Sequence, residues 1–136
     1  MTEQQATILR DQIEESLHYL IISVIAESLE REGFAVTTDH VSGRGLRPVA
    51  VGGFVPDIVA RREGDTRLIE VETQATLQSA RAKAQLAAYA AEPGARVYVA
   101  VPFDCIEGAR RIREEAGFDV GIIPCYPFVR YVGIQK

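Results

Sequence analysis

The chain has 136 residues, is 47% hydrophobic and 25% charged, and carries a net charge of −4. That length supports a single domain, 1–136, with its own core, and the acidic balance excludes a polycation whose whole surface attracts nucleic acid, so such binding would need a local basic patch. The two cysteines, Cys105 and Cys125, form no CxxC pair, which fits buried thiols in a reducing cytoplasm better than a disulfide scaffold or a zinc site.

The start, MTEQQATILRDQIEE, is polar and acidic and is not a signal peptide. Residues 4–32 read as one long helix, because Ile13, Leu17, Leu20, Ile21, Val24, Ile25 and Leu29 recur at three- and four-residue spacing. Within it YLIISVIA, the longest apolar run, is too short to cross a membrane. Gly33 marks the helix end, and FAVTT (34–38) is a short strand. Residues 39–55, DHVSGRGLRPVAVGGFV, are rich in glycine and read as a flexible loop. PDIVARR (56–62) is a strand, EGDT (63–66) a tight turn, and RLIEVET (67–73) a strand pairing back on the first. Residues 75–91 form an Ala-rich helix ended by Pro93-Gly94, and ARVYVAVP (95–102) is a central strand. Residues 104–116 are a shorter helix with a basic face, FDVGIIPC (118–125) is a final core strand, and YPFVRYVGIQK adds an edge strand or packs on a partner. This order predicts an α/β protein with a mixed central sheet, antiparallel in its first strands and parallel where helices connect them.

Chemistry concentrates in LIEVET. Side chains two apart on a strand share a face, so Glu70 and Glu72 repel one another unless solvated, protonated or bridged by a cation. Counting back around the turn brings Asp57 to the same end of the hairpin. Three carboxylates then meet on one patch of sheet, an oxygen-rich set that suits Mg²⁺ or Mn²⁺.

Pro56-Asp57, twelve residues, then Glu70-Val71-Glu72 resembles the signature of the PD-(D/E)XK nuclease superfamily. The succession EREGFAV, VPDIVA, LIEVET, helix, VYVAV resembles archaeal Holliday-junction resolvases over roughly residues 10–102, and Gln85 to Tyr89 matches the QxxxY pattern of RecB-type members. The resemblance implies a three-layer restriction-endonuclease-like core, with mixed central sheet flanked by helices, and metal-dependent hydrolysis of DNA phosphodiester bonds. Asp57, Glu70 and the Val71 carbonyl would hold the metal, with Glu72 as a third ligand or a base. The family lysine falls at residue 72, where this chain has Glu, so Lys83 or Arg81 on the next helix becomes the candidate replacement; lost activity in a nucleic-acid- or protein-binding module is the alternative. Gln85, Tyr89, Glu27 and His18 would be auxiliary, with Glu14 and Glu15 as further candidates for the helix-one acid, although His18 reads more readily as a helix-face or core-boundary residue. Arg44, Arg47 and Arg81 are candidate phosphate contacts. The resemblance and the apolar tail together imply a homodimer, and nothing implies a membrane.

Overall fold

A computed structural model describes residues 1–39 and 47–125. Arg44 and the tail from residue 126 onward, with the expectations placed on them, lie outside the described residues.

The first helix, α1 (Glu3–Arg31), begins at a capping box: Thr2 Oγ1 accepts the Gln5 backbone N–H at 3.1 Å, and the Gln5 side chain accepts the Thr2 N–H at 2.8 Å. It ends before Gly33, whose φ of 95° belongs to the left-handed region that glycine enters without cost. Only its second half is buried, through Ile21, Ile22, Ile25, Ala26 and Leu29.

Strand β1 (Ala35–Thr38) follows, and then the hairpin of β2 (Ile58–Arg62) and β3 (Asp65–Val71). Arg62 pairs with Asp65 and Ile58 with Ile69, so the turn is the two residues Glu63-Gly64. Gly64 has φ 74°, the sign that tight hairpin turns demand. Helix α2 (Ala80–Ala90) leads to β4 (Ala95–Pro102), and a short 3₁₀ turn and helix α3 (Ile106–Ala116) lead to β5 (Gly121–Cys125). The strands lie in the order β1-β2-β3-β4-β5, antiparallel from β1 to β3 and parallel from β3 to β5. The described residues therefore form an α/β fold, with three α-helices and a mixed five-stranded sheet.

Several boundaries differ from expectation: β2 starts at Ile58 and β5 at Gly121, later than residues 56 and 118, and the turn expected over 63–66 narrows to Glu63-Gly64, so β3 starts at Asp65. The helix expected from residue 75 starts at Ala80, because the two threonines before it close a turn of their own. Thr76 Oγ1 accepts the Thr73 N–H at 3.0 Å, and the Thr73 carbonyl accepts the N–H groups of Thr76 and Leu77. Ser79 then caps the helix by accepting from Ala82.

The sheet separates two apolar clusters. Val59, Leu68, Val97 and Val99 face Leu86 and Tyr89 of α2 and Ile112 of α3, while Ile58, Ala60, Ile69 and Val71 face Ile21, Ile22 and Ile25 of α1. Alternation along each strand assigns the faces. No helix among the described residues is long and apolar enough to cross a membrane.

Leu86 is 1% exposed and fills the layer between α2 and the sheet. Leu86→Ala is expected to cost about 2–5 kcal/mol, read as a lowered denaturation midpoint with an unchanged m-value.

Candidate functional site

The hairpin register builds the site. Ile58 pairs with Ile69, so one step further along the ladder sets Asp57 directly across from Glu70. Pro56, fully buried, leads the chain into this position. The Asp57 carbonyl accepts the Asp39 N–H at 2.9 Å, which ties the approach to β2 to the end of β1. Asp57, Glu70 and Glu72 are 5%, 4% and 5% exposed, so all three acids lie under cover. A solvated sheet face is excluded as the explanation of Glu70 and Glu72.

Both helical layers reach the acids. From α1, His18 Nε2 stands 3.2 Å from Asp57 Oδ2, and the same oxygen accepts the Val71 N–H at 2.8 Å. From α2, the Tyr89 hydroxyl donates to Glu70 Oε2 at 3.0 Å. Glu72 closes the row, with its backbone N–H donating to the Ala100 carbonyl and its side chain hydrogen-bonded to Thr76.

Proton affinities follow from this crowding. Burial pushes Glu70 up to about 10, helped by the Asp57 carboxyl facing it and by Glu72, and opposed by the Tyr89 hydrogen bond. Burial raises Glu72 to about 7, also helped by Asp57 and opposed by Thr76, His18 and Arg81. Burial alone would lower His18, but the Asp57 hydrogen bond and charge, Glu72 and the Val71 backbone raise it overall. Tyr89 is raised by burial and by the Glu70 carboxyl it touches. The row thus holds protons where solvated carboxylates would have lost them.

The expected auxiliary residues divide. His18 and Tyr89 join the acids, and Gln85 is buried one turn before Tyr89 on the same side of α2. Arg81 lies near enough to lower the Glu72 pKa, with its guanidinium 5.5 Å from the centre of the Phe54 ring. Lys83 does not point at the acids. It lines a groove between α2 and α3 with Ile112, Glu115 and Phe118, because two helical residues turn a side chain by about 200° from Gln85. Glu27 is also absent from the site: it is exposed and lies 3.7 Å from Arg31. Glu15 accepts from Tyr19 at 2.8 Å on the surface. One oxygen of Glu14, Oε2, is buried without a hydrogen-bond partner. Arg47 is drawn to the buried Asp39, with Nε 2.7 Å from its carboxylate. The Val71 carbonyl was the expected metal contact, yet the Val71 backbone serves Asp57 and His18.

Thr76 and Asp39 were not anticipated. The Thr-x-x-Thr spacing of residues 73–76 is a turn signal that points to Thr76, whereas no local pattern marks Asp39. Both cysteines are buried, and burial raises the Cys105 thiol to about 11.

Among the described residues no group of three or more His, Cys, Asp or Glu side chains is disposed to hold a metal ion. The Asp57–Glu70 pair nonetheless fits a hard divalent cation in chemistry. The two acids supply only oxygen donors and lie under cover, and burial first, then the Asp57 and Glu72 carboxyls, raise the proton affinity of Glu70. In comparisons with known proteins, no family model matches the chain and no curated protein matches it.

The pKa directions determine a pH dependence for the metal-free protein. Glu70 and Glu72 bind protons more tightly folded than unfolded, so their contribution is full below about pH 4.5 and is lost as pH rises through about 7 and on toward about 10. His18, also raised, is lost in the same direction. Stability in EDTA is therefore expected to fall between pH 5 and pH 9, by on the order of 3 kcal/mol from Glu72 alone. Denaturant midpoints across that range measure it, and Glu72→Gln should flatten the slope.

Proposed function

We propose that this chain is a divalent-metal-dependent nuclease with a restriction-endonuclease-like core, hydrolysing phosphodiester bonds of DNA at the Asp57/Glu70/Glu72 row. The observation that carries the reading is the cross-strand opposition of two buried carboxylates, Asp57 and Glu70, at the positions where the sequence resembles the PD-(D/E)XK signature.

In this reading Asp57 and Glu70 hold Mg²⁺ or Mn²⁺. The bound cation supplies Lewis acidity toward a phosphate oxygen and lowers the pKa of a nearby water. His18 and the Val71 N–H fix the orientation of Asp57, and the Tyr89 hydroxyl fixes that of Glu70. Glu72, raised to about 7, is matched to taking a proton from water near neutral pH, where a general base works best. It would thus do the proton chemistry that a lysine serves in the resembled motif. Arg81 beside Glu72 supplies the positive charge that an incoming phosphate needs.

A second reading is favoured by one feature. Asp57 Oδ2 is already engaged by both His18 and Val71, and no three-ligand group is assembled among the described residues. That suits a nuclease-fold module that has lost catalysis and binds nucleic acid or protein.

Thermal melts with added Mn²⁺ or Mg²⁺, together with cleavage assays on single-stranded, duplex and branched DNA, separate the two. The nuclease reading expects a rise in Tm with metal, cleavage by the wild type, and background rates for Glu70→Ala. Glu72→Lys should keep part of the activity, since Asp57 and Glu70 survive and a positive group stands beside the phosphate. No cleavage of any form by the wild type, with activity gained in Glu72→Lys, would establish the degenerate module instead.

A further inference from the structure

We infer that Asp39 and Arg47 form a phosphate-binding unit at the β1 end of the acid row, an assignment that rests on the nuclease reading proposed above. Asp39 is the positioning residue. It holds the Arg47 guanidinium ready for a DNA backbone phosphate next to the one under attack.

The sheet register sets the place of this unit. Thr38 pairs with Ile58, and Ile58 with Ile69. One step further along the ladder therefore sets Asp39 across from Asp57, as it sets Asp57 across from Glu70. The Asp39 N–H, donated to the Asp57 carbonyl at 2.9 Å, fixes that level. Three acids thus stand at one height on adjoining stretches of backbone, with about 4.8 Å between neighbours. A DNA strand carries one phosphate per ~3.4 Å of duplex axis, so a cation one strand beyond Asp57 is spaced to meet a neighbouring phosphate.

The pairing leaves the useful edge of Arg47 open. The Asp39 side chain is 5% exposed and that of Arg47 65%. Oδ1 of the acid takes Nε alone, at 2.7 Å. A guanidinium has five N–H donors in one rigid plane, and its two terminal amino groups here meet no acceptor among the described residues. Held at Nε, the plane keeps the edge that matches two phosphate oxygens. An ion pair with so exposed an arginine adds little to stability, so the contact serves orientation better than it serves folding.

Fluorescence anisotropy of labelled duplex and single-stranded oligonucleotides on the full chain, in Ca²⁺ and in EDTA over a range of KCl, tests this. Arg47→Gln should bind about three- to tenfold more weakly than the wild type. On duplex its slope of log affinity against log salt should be shallower by about 0.9, the share of one phosphate. Arg47→Lys should behave nearly like Arg47→Gln, since an ammonium cannot serve Asp39 and two phosphate oxygens together. Asp39 gives the sharper test. Removing an acid near DNA ordinarily strengthens binding, yet Asp39→Ala should weaken it about threefold or more, with little further loss when Arg47→Gln is added. Asp39→Asn, whose amide oxygen can still accept from Nε, should bind at least as well as the wild type. Arg47 is exposed, so its variants keep the fold and decide the matter if Asp39→Ala unfolds. Wild-type affinity in Arg47→Gln or Arg47→Lys, tighter binding by Asp39→Ala, or a wild type that binds neither oligonucleotide overturns the inference. Cleavage assays in Mg²⁺ separate it from the nuclease reading. Cleavage with Arg47→Gln indifferent overturns the unit alone, whereas Arg47-dependent binding without cleavage overturns the nuclease alone.

Discussion

Two buried carboxylates, Asp57 and Glu70, face each other across the β2–β3 hairpin, and the architecture around them can be read as the means of holding them there. Like charges so placed repel strongly when covered from water. The protein meets this with a proton on Glu70 and with three groups turned toward the pair: the His18 imidazole, the Val71 N–H and the Tyr89 hydroxyl. The opposition itself depends on a two-residue turn. A slip of one residue in the ladder would send Glu70 to the α1 side and bring Ile69 and Val71 to the α2 side, so Gly64 at φ 74° acts on the site from the far end of the hairpin.

The supporting groups arrive from opposite sides of the sheet, which explains the demands on the two helices. His18 lies on α1 one turn before the buried run that starts at Ile21, at the point where the helix leaves the sheet. Tyr89 lies near the end of α2 in the opposite layer, with Gln85 and Leu86 completing its buried face. A change in either helix's docking would release one carboxylate from its partner. The second half of α1 supplies the core, whereas its first half leaves Ile8, Leu9 and Ile13 exposed.

The arginines show how far local charge differs from overall charge. Arg62 and Arg67 lie over the Phe34 ring at 4.2 and 4.6 Å, and Arg67 also pairs with Asp65 at 3.1 Å. These guanidiniums stabilise the turn end of the hairpin through stacking and ion pairing. Arg47 is held by Asp39. The Arg81 field reaches Glu72, as does that of His18.

The element order, the hairpin and the meeting of Asp57 with Glu70 were legible in the sequence because period-two alternation and a short turn are local properties. The chain's own order of polar and apolar residues imposes them. The turn at Thr73 and Thr76 was also local, but an Ala-rich run that suits a helix concealed it. The rest depended on contacts between residues far apart in the chain. His18 reaches an acid 39 residues away only because α1 docks with one particular rotation, and Glu27 and Lys83 fall outside the site for the same kind of reason. Helical spacing says which residues share a face, but not which face meets the sheet or where the helix crosses it. Packing of Ile21, Ile25 and Leu29 on one layer and of Leu86 and Tyr89 on the other made those choices, and burial then raised Glu70 and Glu72 far above solvated carboxylates. Sequence alone determined which acids meet, because register is written in the hairpin; tertiary structure decided what surrounds them, because helix rotation and burial arise only when the layers close.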